Sequence, residues 1–382
     1  MEGKTVKVQV SRQALLDGVA KVHRAADPKA RQPILANILL EAKWEFYERR
    51  AVLKLTATDF EIAIQAPIAV DMERPGRITV NAKALHSIVK ALSKKQETVI
   101  LEVEDGDEHW LTLRCGRTTA RLAGMPADEF PGLPQIEAKG TIELSSEVLR
   151  EMADKLLHAV STDETRYVLN GVYLKAEGTT LKAVATDGHR LAVLTIQLSK
   201  PTDTPVSGVV KRQAIHEAYR LSKGDSVPVK VAFGQDHSHF HFPDATLYSR
   251  AIEGQFPNYE QIIPEHSDVV ATFDRKAALD ALKRLQTITK GQRTGMVIWT
   301  FSNGMLVLKA EDTETGSMEE TLDVSHNGNE LTIGLNPRYL HDAFEAMDTV
   351  EVRAGFTDKL APALFEPVGD NGYQCVVMPI RV

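Results

Sequence analysis

The sequence contains few of the features that staple small folds or anchor proteins in membranes. Only two cysteines occur among 382 residues, Cys115 and Cys375, and each lies inside an apolar run. This predicts buried thiols in a reducing compartment and argues against a disulfide framework or a zinc–cysteine cluster. No apolar run approaches membrane length, and the N-terminus lacks the apolar core of a signal peptide. We therefore expect a cytoplasmic protein with no membrane contact.

The chain also lacks the excess of positive charge that is typical of a uniformly basic nucleic-acid binder. Its formal net charge is -7 at pH 7. An average of this kind can hide a strongly sided distribution, so the positions of the lysines and arginines matter. The length exceeds what one hydrophobic core usually supports, which predicts two or three domains.

Internal repeats are the most informative feature that is present. Three segments begin alike: VQVSRQALLDGVAKV from Val8, IELSSEVLREMADKL from Ile142 and ATFDRKAALDALKRL from Ala271. Each predicts a short strand, an N-cap (Ser11, Ser145 or Asp274) and an amphipathic helix, and the unit recurs about every 130 residues.

A second strand–helix unit lies midway through each repeat, beginning at Val80, Val210 and Leu335. Two proline-rich connectors that both contain Phe-Pro, at residues 125–140 and 254–268, join the repeats. We therefore predict an α+β protein of three like domains, with the boundaries 1–126, 127–254 and 255–382.

Charge is segregated between the predicted helices and the rest of the chain. The six helical segments (11–24, 81–95, 145–157, 210–223, 274–293 and 336–347) carry a net +11, so the remaining residues carry -18. One interpretation is that lysine and arginine simply suit exposed helix positions. The other is that the helices face a polyanion and contact phosphates without reading sequence.

The stretch KAVATDGHRLAVLTI, residues 182–196, leaves several interpretations open. Asp187 and His189 could form an acid–base pair, but Asp-Gly between alternating apolar residues is a strong hairpin signal, with Gly188 supplying a positive φ. His237, His239 and His241 alternate along a predicted strand and could share a face as metal ligands. A metal-dependent hydrolase using Asp187 and His189 is therefore the alternative from another functional class.

Several motifs resemble those of the beta subunit of bacterial DNA polymerase III, the sliding-clamp family. From about Val6 to Val382 they are QPILANILLEA, VNAKAL, MPADEFPGLP, RYVLNGVYL, ATDGHRLAV, FPNYEQIIP and VVMPIRV. The resemblance implies three domains of the DNA clamp fold, each with two helices on antiparallel sheets, that close as a head-to-tail dimeric ring. It implies a non-catalytic processivity factor that needs no cofactor and encircles duplex DNA without sequence specificity.

The resemblance also implies a cleft for short peptides of the replicative polymerase catalytic subunit, the clamp loader and other partners. The positions carried over are Leu169, Thr186, Gly188, His189, Arg190, Leu191, Pro257, Ile262, Val376, Met378, Pro379, Ile380 and Arg381. Apolar members would accept leucine or phenylalanine anchors, while Arg190 and the backbone would fix polar groups of the peptide.

Further positions follow from the resemblance for DNA and for the dimer seam. The residues expected to face DNA are Lys29, Arg31, Lys83, Lys90, Arg166, Tyr167, Lys211 and Arg212, and those expected at the seam are Leu122 and Leu285. Three departures from the family pattern are Gln261 in place of a basic cleft-rim residue, the small Ala120 at the seam, and a longer hairpin in the first domain. They leave open a divergent clamp copy with altered partners.

Overall fold

A computed structural model describes residues 5–382 of the chain apart from 46–49, 105, 108, 225 and 291–294. The tip of the longer hairpin in the first domain lies outside the described residues. The chain forms two compact units, one containing the residues up to Ser146 together with Arg220–Ala251, and the other Glu147–Tyr219 together with Ile252–Val382. The middle repeat therefore contributes residues to both units, and the three predicted boundaries stay a prediction.

The described helices begin where the repeats predict them. They are α1 (Arg12–Val22), α2 (Ala82–Ala91), α3 (Ser146–Leu156), α4 (Arg212–Leu221), α5 (Arg275–Thr289) and α6 (Pro337–Glu345). Each follows a strand, directly or, for α6, after the single residue Asn336. The Asp274 carboxylate accepts a hydrogen bond from the backbone N–H of Ala277 at 2.7 Å. Asn81 and Asn336 cap α2 and α6 in the same way. In the part of the chain that is described, none of these helices is long and apolar enough to span a bilayer.

The strands of the first half of the chain are β1 (Lys7–Ser11), β2 (Asn37–Glu45), β3 (Arg50–Thr58), β4 (Ile62–Ala69), β5 (Asp71–Arg74), β6 (Gly76–Asn81), β7 (Thr98–Glu102), β8 (Trp110–Cys115), β9 (Thr118–Met125), β10 (Gly140–Ser145), β11 (Gly171–Glu177), β12 (Thr180–Thr186) and β13 (Arg190–Gln197). Those of the second half are β14 (Val206–Lys211), β15 (Pro228–Phe233), β16 (His237–Phe242), β17 (Ala245–Arg250), β18 (Val269–Asp274), β19 (Val297–Ser302), β20 (Met305–Asp312), β21 (Gly316–Asp323), β22 (Ser325–Asn327), β23 (Leu331–Leu335), β24 (Glu351–Phe356), β25 (Ala363–Pro367) and β26 (Tyr373–Val377).

The first unit is built on one 13-stranded antiparallel sheet. Its order is β10-β15-β16-β17-β4-β3-β2-β6-β9-β8-β7-β1-β5. The first and middle repeats join where β4 pairs with β17. Helix α1 buries Leu15 and Val19 completely. A Cβ atom on Gly18 would lie 2.8 Å from the side chain of Leu55, so the small residue lets α1 approach β3 closely.

The second unit contains a nine-stranded sheet, β14-β11-β12-β13-β26-β25-β24-β18-β22, and a four-stranded sheet, β21-β20-β19-β23. Trp299 is fully buried, and its ring centroid lies 5.8 Å from that of Phe273 and 6.0 Å from that of Phe365. Such tilted aromatic contacts fill a large core volume. Cys115 and Cys375 are free and buried in their respective units, as predicted. Helices packed on antiparallel sheets confirm the predicted α+β class.

Candidate functional site

The Asp-Gly stretch forms the hairpin turn between β12 and β13. The Thr186 hydroxyl donates to the Arg190 carbonyl at 2.7 Å and accepts from the Gly188 N–H at 3.1 Å. The Asp187 carboxylate accepts from the backbone N–H groups of His189 and Arg190 at 2.9 and 3.0 Å. Gly188 has a φ of 86°, a conformation that L side chains rarely adopt. The turn prediction is therefore confirmed.

This geometry gives Asp187 a structural role. One carboxylate oxygen is bonded to two backbone N–H groups, and the other accepts from Arg190 Nε at 3.1 Å. The link to His189 runs through the backbone, and the imidazole is exposed beside Tyr339, with the ring centroids 6.4 Å apart. The acid–base arrangement considered for Asp187 and His189 is therefore not formed.

Arg190 is buried beneath the turn, with only 8% of its surface exposed. Its Nη1 donates to Asp342 Oδ2 at 2.7 Å, and its guanidinium carbon lies 4.5 Å from the centre of the Tyr339 ring. Direct contact of Arg190 with polar groups of a peptide stays a prediction. Because its Nε and Nη1 donate to carboxylates inside the protein, Arg190 supports the turn from its buried side.

The end of the chain lies against the same turn. Strand β26 pairs with β13 so that Val376 stands opposite Leu191, and the backbone N–H of Met378 donates to the His189 carbonyl at 2.9 Å. Met378 is 38% exposed. Pro379 and Ile380 are half-buried, Arg381 is exposed, and the Ile380 N–H donates to the Gly334 carbonyl at 2.8 Å. The tail and the turn thus form one continuous surface.

An apolar cluster fills the region between the turn and the connector after the middle repeat. Its buried members are Val184, Leu191, Val193, Val209, Phe256, Tyr259, Leu364 and Val376, with Val168, Leu169, Tyr173, Ile252 and Ile263 packed at its edge. The structure therefore brings the predicted Leu169, Leu191 and Val376 together. Pro257 and Ile262 lie exposed on the connector beside it. Exposed apolar side chains over an apolar cluster are typical of a docking surface.

Sequence reasoning missed the aromatic side chains of this region. Tyr173 and Phe256 stack with their centroids 5.0 Å apart, and Tyr259 meets Tyr173 edge-on at 6.5 Å. Burial raises the pKa of Tyr259 to about 12. The Phe-Pro dipeptide at 256–257 was a usable signal for Phe256, but Tyr339 lies on α6, far away in sequence, and no local pattern marks it.

The rim of the apolar cluster carries an ion pair on the connector. Lys182 Nζ lies 3.1 Å from Glu260 Oε1, and this hydrogen bond lowers the pKa of the Glu260 carboxyl. Gln261, the neutral residue at the rim, is exposed next to it. At this edge the chain therefore presents a neutral amide and a paired carboxylate.

The predicted DNA-facing residues lie on loops, at one strand end and at both ends of helices. Lys29 and Arg31 are exposed before β2, and Lys83 and Lys90 are exposed on α2. Arg166 and Tyr167 belong to a short 3₁₀ segment, Glu164–Leu169, while Lys211 ends β14 and Arg212 begins α4. Arg166 Nη1 donates to the Asp187 carbonyl at 3.3 Å, so this side chain reaches the turn as well. Their contact with DNA stays a prediction.

The two predicted seam residues differ in exposure. Leu122 lies on β9 and is 7% exposed, whereas Leu285 is fully buried in α5. A side chain with no exposed surface cannot pack against a second chain. The choice of Leu285 as a seam residue was therefore wrong, because Leu285 lies on the buried side of α5. Ile288, three residues further along α5, is half-buried.

The alternating histidines of β16 do not form a metal site in the described residues, which contain no group of three or more histidine, cysteine or acidic side chains suited to an ion. His239 is buried against Tyr248, with the ring centroids 4.4 Å apart. Desolvation lowers its pKa to about 4. His239 is therefore a packing residue, whereas His237 is half-buried and His241 is exposed, and the described residues bring together no metal-binding group that a hydrolase could use.

Comparison with protein families gives three consecutive matches that together cover most of the chain. Models of the DNA polymerase III beta subunit match in order: the N-terminal domain at residues 6–134, the central domain at 143–258 and the C-terminal domain at 260–381. The order and the three-fold count agree with the repeats read from the sequence. The matches confirm the resemblance drawn from the motifs.

Individual relatives are similar over their full length. The beta sliding clamp of Synechococcus elongatus is 32% identical over 381 residues, covering 99% of this chain and 100% of the relative. The sliding clamp structure from Bacillus subtilis has a TM-score of 0.92 at 27% identity and 99% coverage of both chains. The Pseudomonas aeruginosa clamp bound to griselimycin has a TM-score of 0.91 at 30% identity, covering 99% of this chain and 100% of that one.

Proposed function

Since the chain belongs to the DNA polymerase III beta subunit family, the sliding clamps, we propose that it is a processivity factor of DNA replication that works as a non-catalytic homodimer around duplex DNA. The observation that carries this is the succession of three clamp-domain matches from residue 6 to residue 381. A clamp of this kind is held on DNA by enclosing it, so its affinity for phosphates can stay low enough for sliding. The compartment that we propose is the cytoplasm.

The peptide cleft in this proposal comprises the turn, the apolar cluster and the tail. Leu169, Leu191 and Val376 form part of the apolar floor, and the exposed Met378 and Ile262 supply flexible apolar contacts at its sides. Methionine adapts to different partner side chains, which suits one cleft that receives several proteins. The anchors of the partner peptide are leucine or phenylalanine side chains, and the occupants are the replicative polymerase, the clamp loader and other clamp-binding proteins.

The DNA-facing surface is formed by the basic helix and loop residues. Lys83 and Lys90 extend from α2 into solvent, as do Lys29 and Arg31 from their loop. Lysine and arginine that contact only phosphates give affinity without sequence preference, and such binding weakens steeply with salt. The six helical segments carry a net charge of +11 and the remaining residues -18, which supports the proposal that the helices face DNA.

Two exposed strand edges support the homodimer. Strand β9 pairs with β8 from the residue pair Thr118 and Cys115 onward, but it pairs with β6 only at its last two residues. Among the described strands, β21 pairs only with β20. Open edges invite pairing with another chain. We propose that β9 of one chain pairs with β21 of the other, with Leu122 packed at the seam beside Ala120.

The test is retention on DNA of defined topology. The protein is loaded onto nicked circular duplex DNA with a bacterial clamp loader and ATP, and the complex is separated by gel filtration before and after one restriction cut. We expect co-elution with the circle and release after the cut, while a linear duplex blocked at both ends retains the protein. Equal retention on open linear and circular DNA would contradict enclosure.

A further inference from the structure

We propose that Asp342 on α6 is a positioning residue of the peptide cleft, which holds the turn of the cleft in the binding conformation through Arg190. This inference rests on the proposed function, because it assigns a role within the same cleft. It concerns a residue that contacts Arg190 and that none of the sequence motifs identified.

Three groups surround the Arg190 guanidinium. The Asp187 carboxylate accepts a hydrogen bond from Nε at 3.1 Å, and the Asp342 carboxylate accepts one from Nη1 at 2.7 Å. The centre of the Tyr339 ring lies 4.5 Å from the guanidinium carbon. Tyr339 and Asp342 are three residues apart on α6, so they lie on one face of the helix. Arg190 is only 8% exposed, and charge-assisted hydrogen bonds away from water are strong and directional.

The guanidinium is linked to the binding surface by short covalent and hydrogen-bonded paths. The Arg190 carbonyl accepts from the Thr186 hydroxyl at 2.7 Å, and Arg190 stands opposite Val377 in the strand pair. The preceding residue, His189, accepts the Met378 N–H at 2.9 Å. A shift of Arg190 would therefore move the turn and the tail together.

Asp342 is the one group of the three that comes from another repeat and carries charge. It stands 152 residues from Arg190 in sequence, and its side chain is 26% exposed. Asp187 is local to the turn and moves with it, so it cannot fix the turn relative to the rest of the fold. Asp342 can, because α6 is packed into its unit through the fully buried Leu340 and Phe344. Removing its charge would leave a largely buried guanidinium with a single carboxylate partner, a costly arrangement.

The experiment measures the affinity of the full-length protein for a fluorescein-labelled peptide with leucine and phenylalanine anchors, by fluorescence anisotropy. We expect Asp342→Asn to weaken binding about tenfold, because the turn samples other conformations. Glu345→Gln is the matched control, since Glu345 lies on the same helix but pairs with His341 at 3.7 Å. It should bind as the wild type does. Thermal unfolding of each variant shows that the fold is retained.

A double-mutant cycle separates positioning from general stability. In the Arg190→Ala background, Asp342→Asn should cause no further loss of peptide affinity, because its effect passes through the guanidinium. Equal losses in both backgrounds, or unchanged affinity of Asp342→Asn, would overturn the inference while leaving the clamp proposal standing. Absence of peptide binding by the wild type would contradict both the cleft and this inference. If Arg190→Ala does not fold, Arg190→Met serves in the cycle, since it keeps the length of the side chain and removes the charge.

Discussion

At the scale of single residues, the enclosed imidazole of His158 should make the stability of this protein depend on pH. Desolvation, followed by the nearby charge of Arg190, lowers the pKa of His158 from 6.5 to about 4. Its Nδ1 is inaccessible to solvent, and its Nε2 lies 3.0 Å from the Tyr373 hydroxyl. Because the pKa of His158 is higher in the unfolded chain, the unfolded chain binds the proton first as the pH falls. The contribution of neutral His158 to the free energy of unfolding is therefore fully present above pH 6.5 and is lost as the pH falls towards 4.

The expected result is a decrease in the free energy of unfolding between pH 6.5 and 4, of which His158 contributes up to about 3 kcal/mol. His158→Gln cannot titrate, so its unfolding free energy should fall less over the same window, whatever its value at neutral pH. Urea unfolding at several pH values measures both slopes, with His266→Gln, at an exposed site, as the control. Parallel curves for the wild type and His158→Gln would disprove the assignment.

At the scale of structural elements, the cleft turn has a counterpart in the first repeat. The Thr58 hydroxyl donates to the Ile62 carbonyl at 2.8 Å and accepts from the Phe60 N–H at 3.0 Å, and the Asp59 carboxylate accepts from the backbone N–H groups of Glu61 and Ile62. Residues 186–190 form the same pattern of hydrogen bonds. In place of Gly188 stands Phe60, with a φ of 73° and half its surface exposed.

A bulky residue in the left-handed region is strained, so Phe60→Gly should be more stable than Phe60→Ala by about 1 kcal/mol. Both variants remove the ring, and only glycine relieves the backbone. The gain is reduced by the extra freedom of glycine in the unfolded chain. Thermal and urea unfolding of the two variants tests the difference. A Phe60→Ala protein as stable as Phe60→Gly would show that the turn is unstrained.

Local sequence patterns predicted the helix starts and the turn, but they could not predict contacts between residues that are distant in sequence. Helix starts at Asn81, Asp274 and Asn336 and the turn at Gly188 depend on bonds within a few residues, so the sequence predicts them. The partner of Arg190 lies on α6 and becomes adjacent only in the folded sheet. Leu285 is one of several apolar residues in the pattern of α5, and it is fully buried. The pattern alone does not reveal which of these apolar side chains stay exposed and could lie at a seam.

At the scale of the whole molecule, the two open strand edges carry opposite charge. Arg117 lies exposed in the turn before β9 and Arg121 lies exposed on β9, where it also pairs with Asp107. Glu319 and Asp323 lie exposed on β21. Opposite charges across a pair of strands favour pairing, and like charges oppose it. If β9 of one chain pairs with β21 of another, dimerisation should weaken as salt is raised.

A charge exchange tests this pairing. A chain with Arg117→Glu and Arg121→Glu has two acidic edges, and a chain with Glu319→Arg and Asp323→Arg has two basic ones, so we expect each alone to be monomeric. Mixed together, they present complementary edges at both seams of the proposed ring and should form a heterodimer, since every β9 then meets a β21 of opposite sign. Sedimentation analysis of the separate and mixed chains measures the outcome. Homodimers of either variant at wild-type affinity, or no heterodimer on mixing, would show that these edges do not pair.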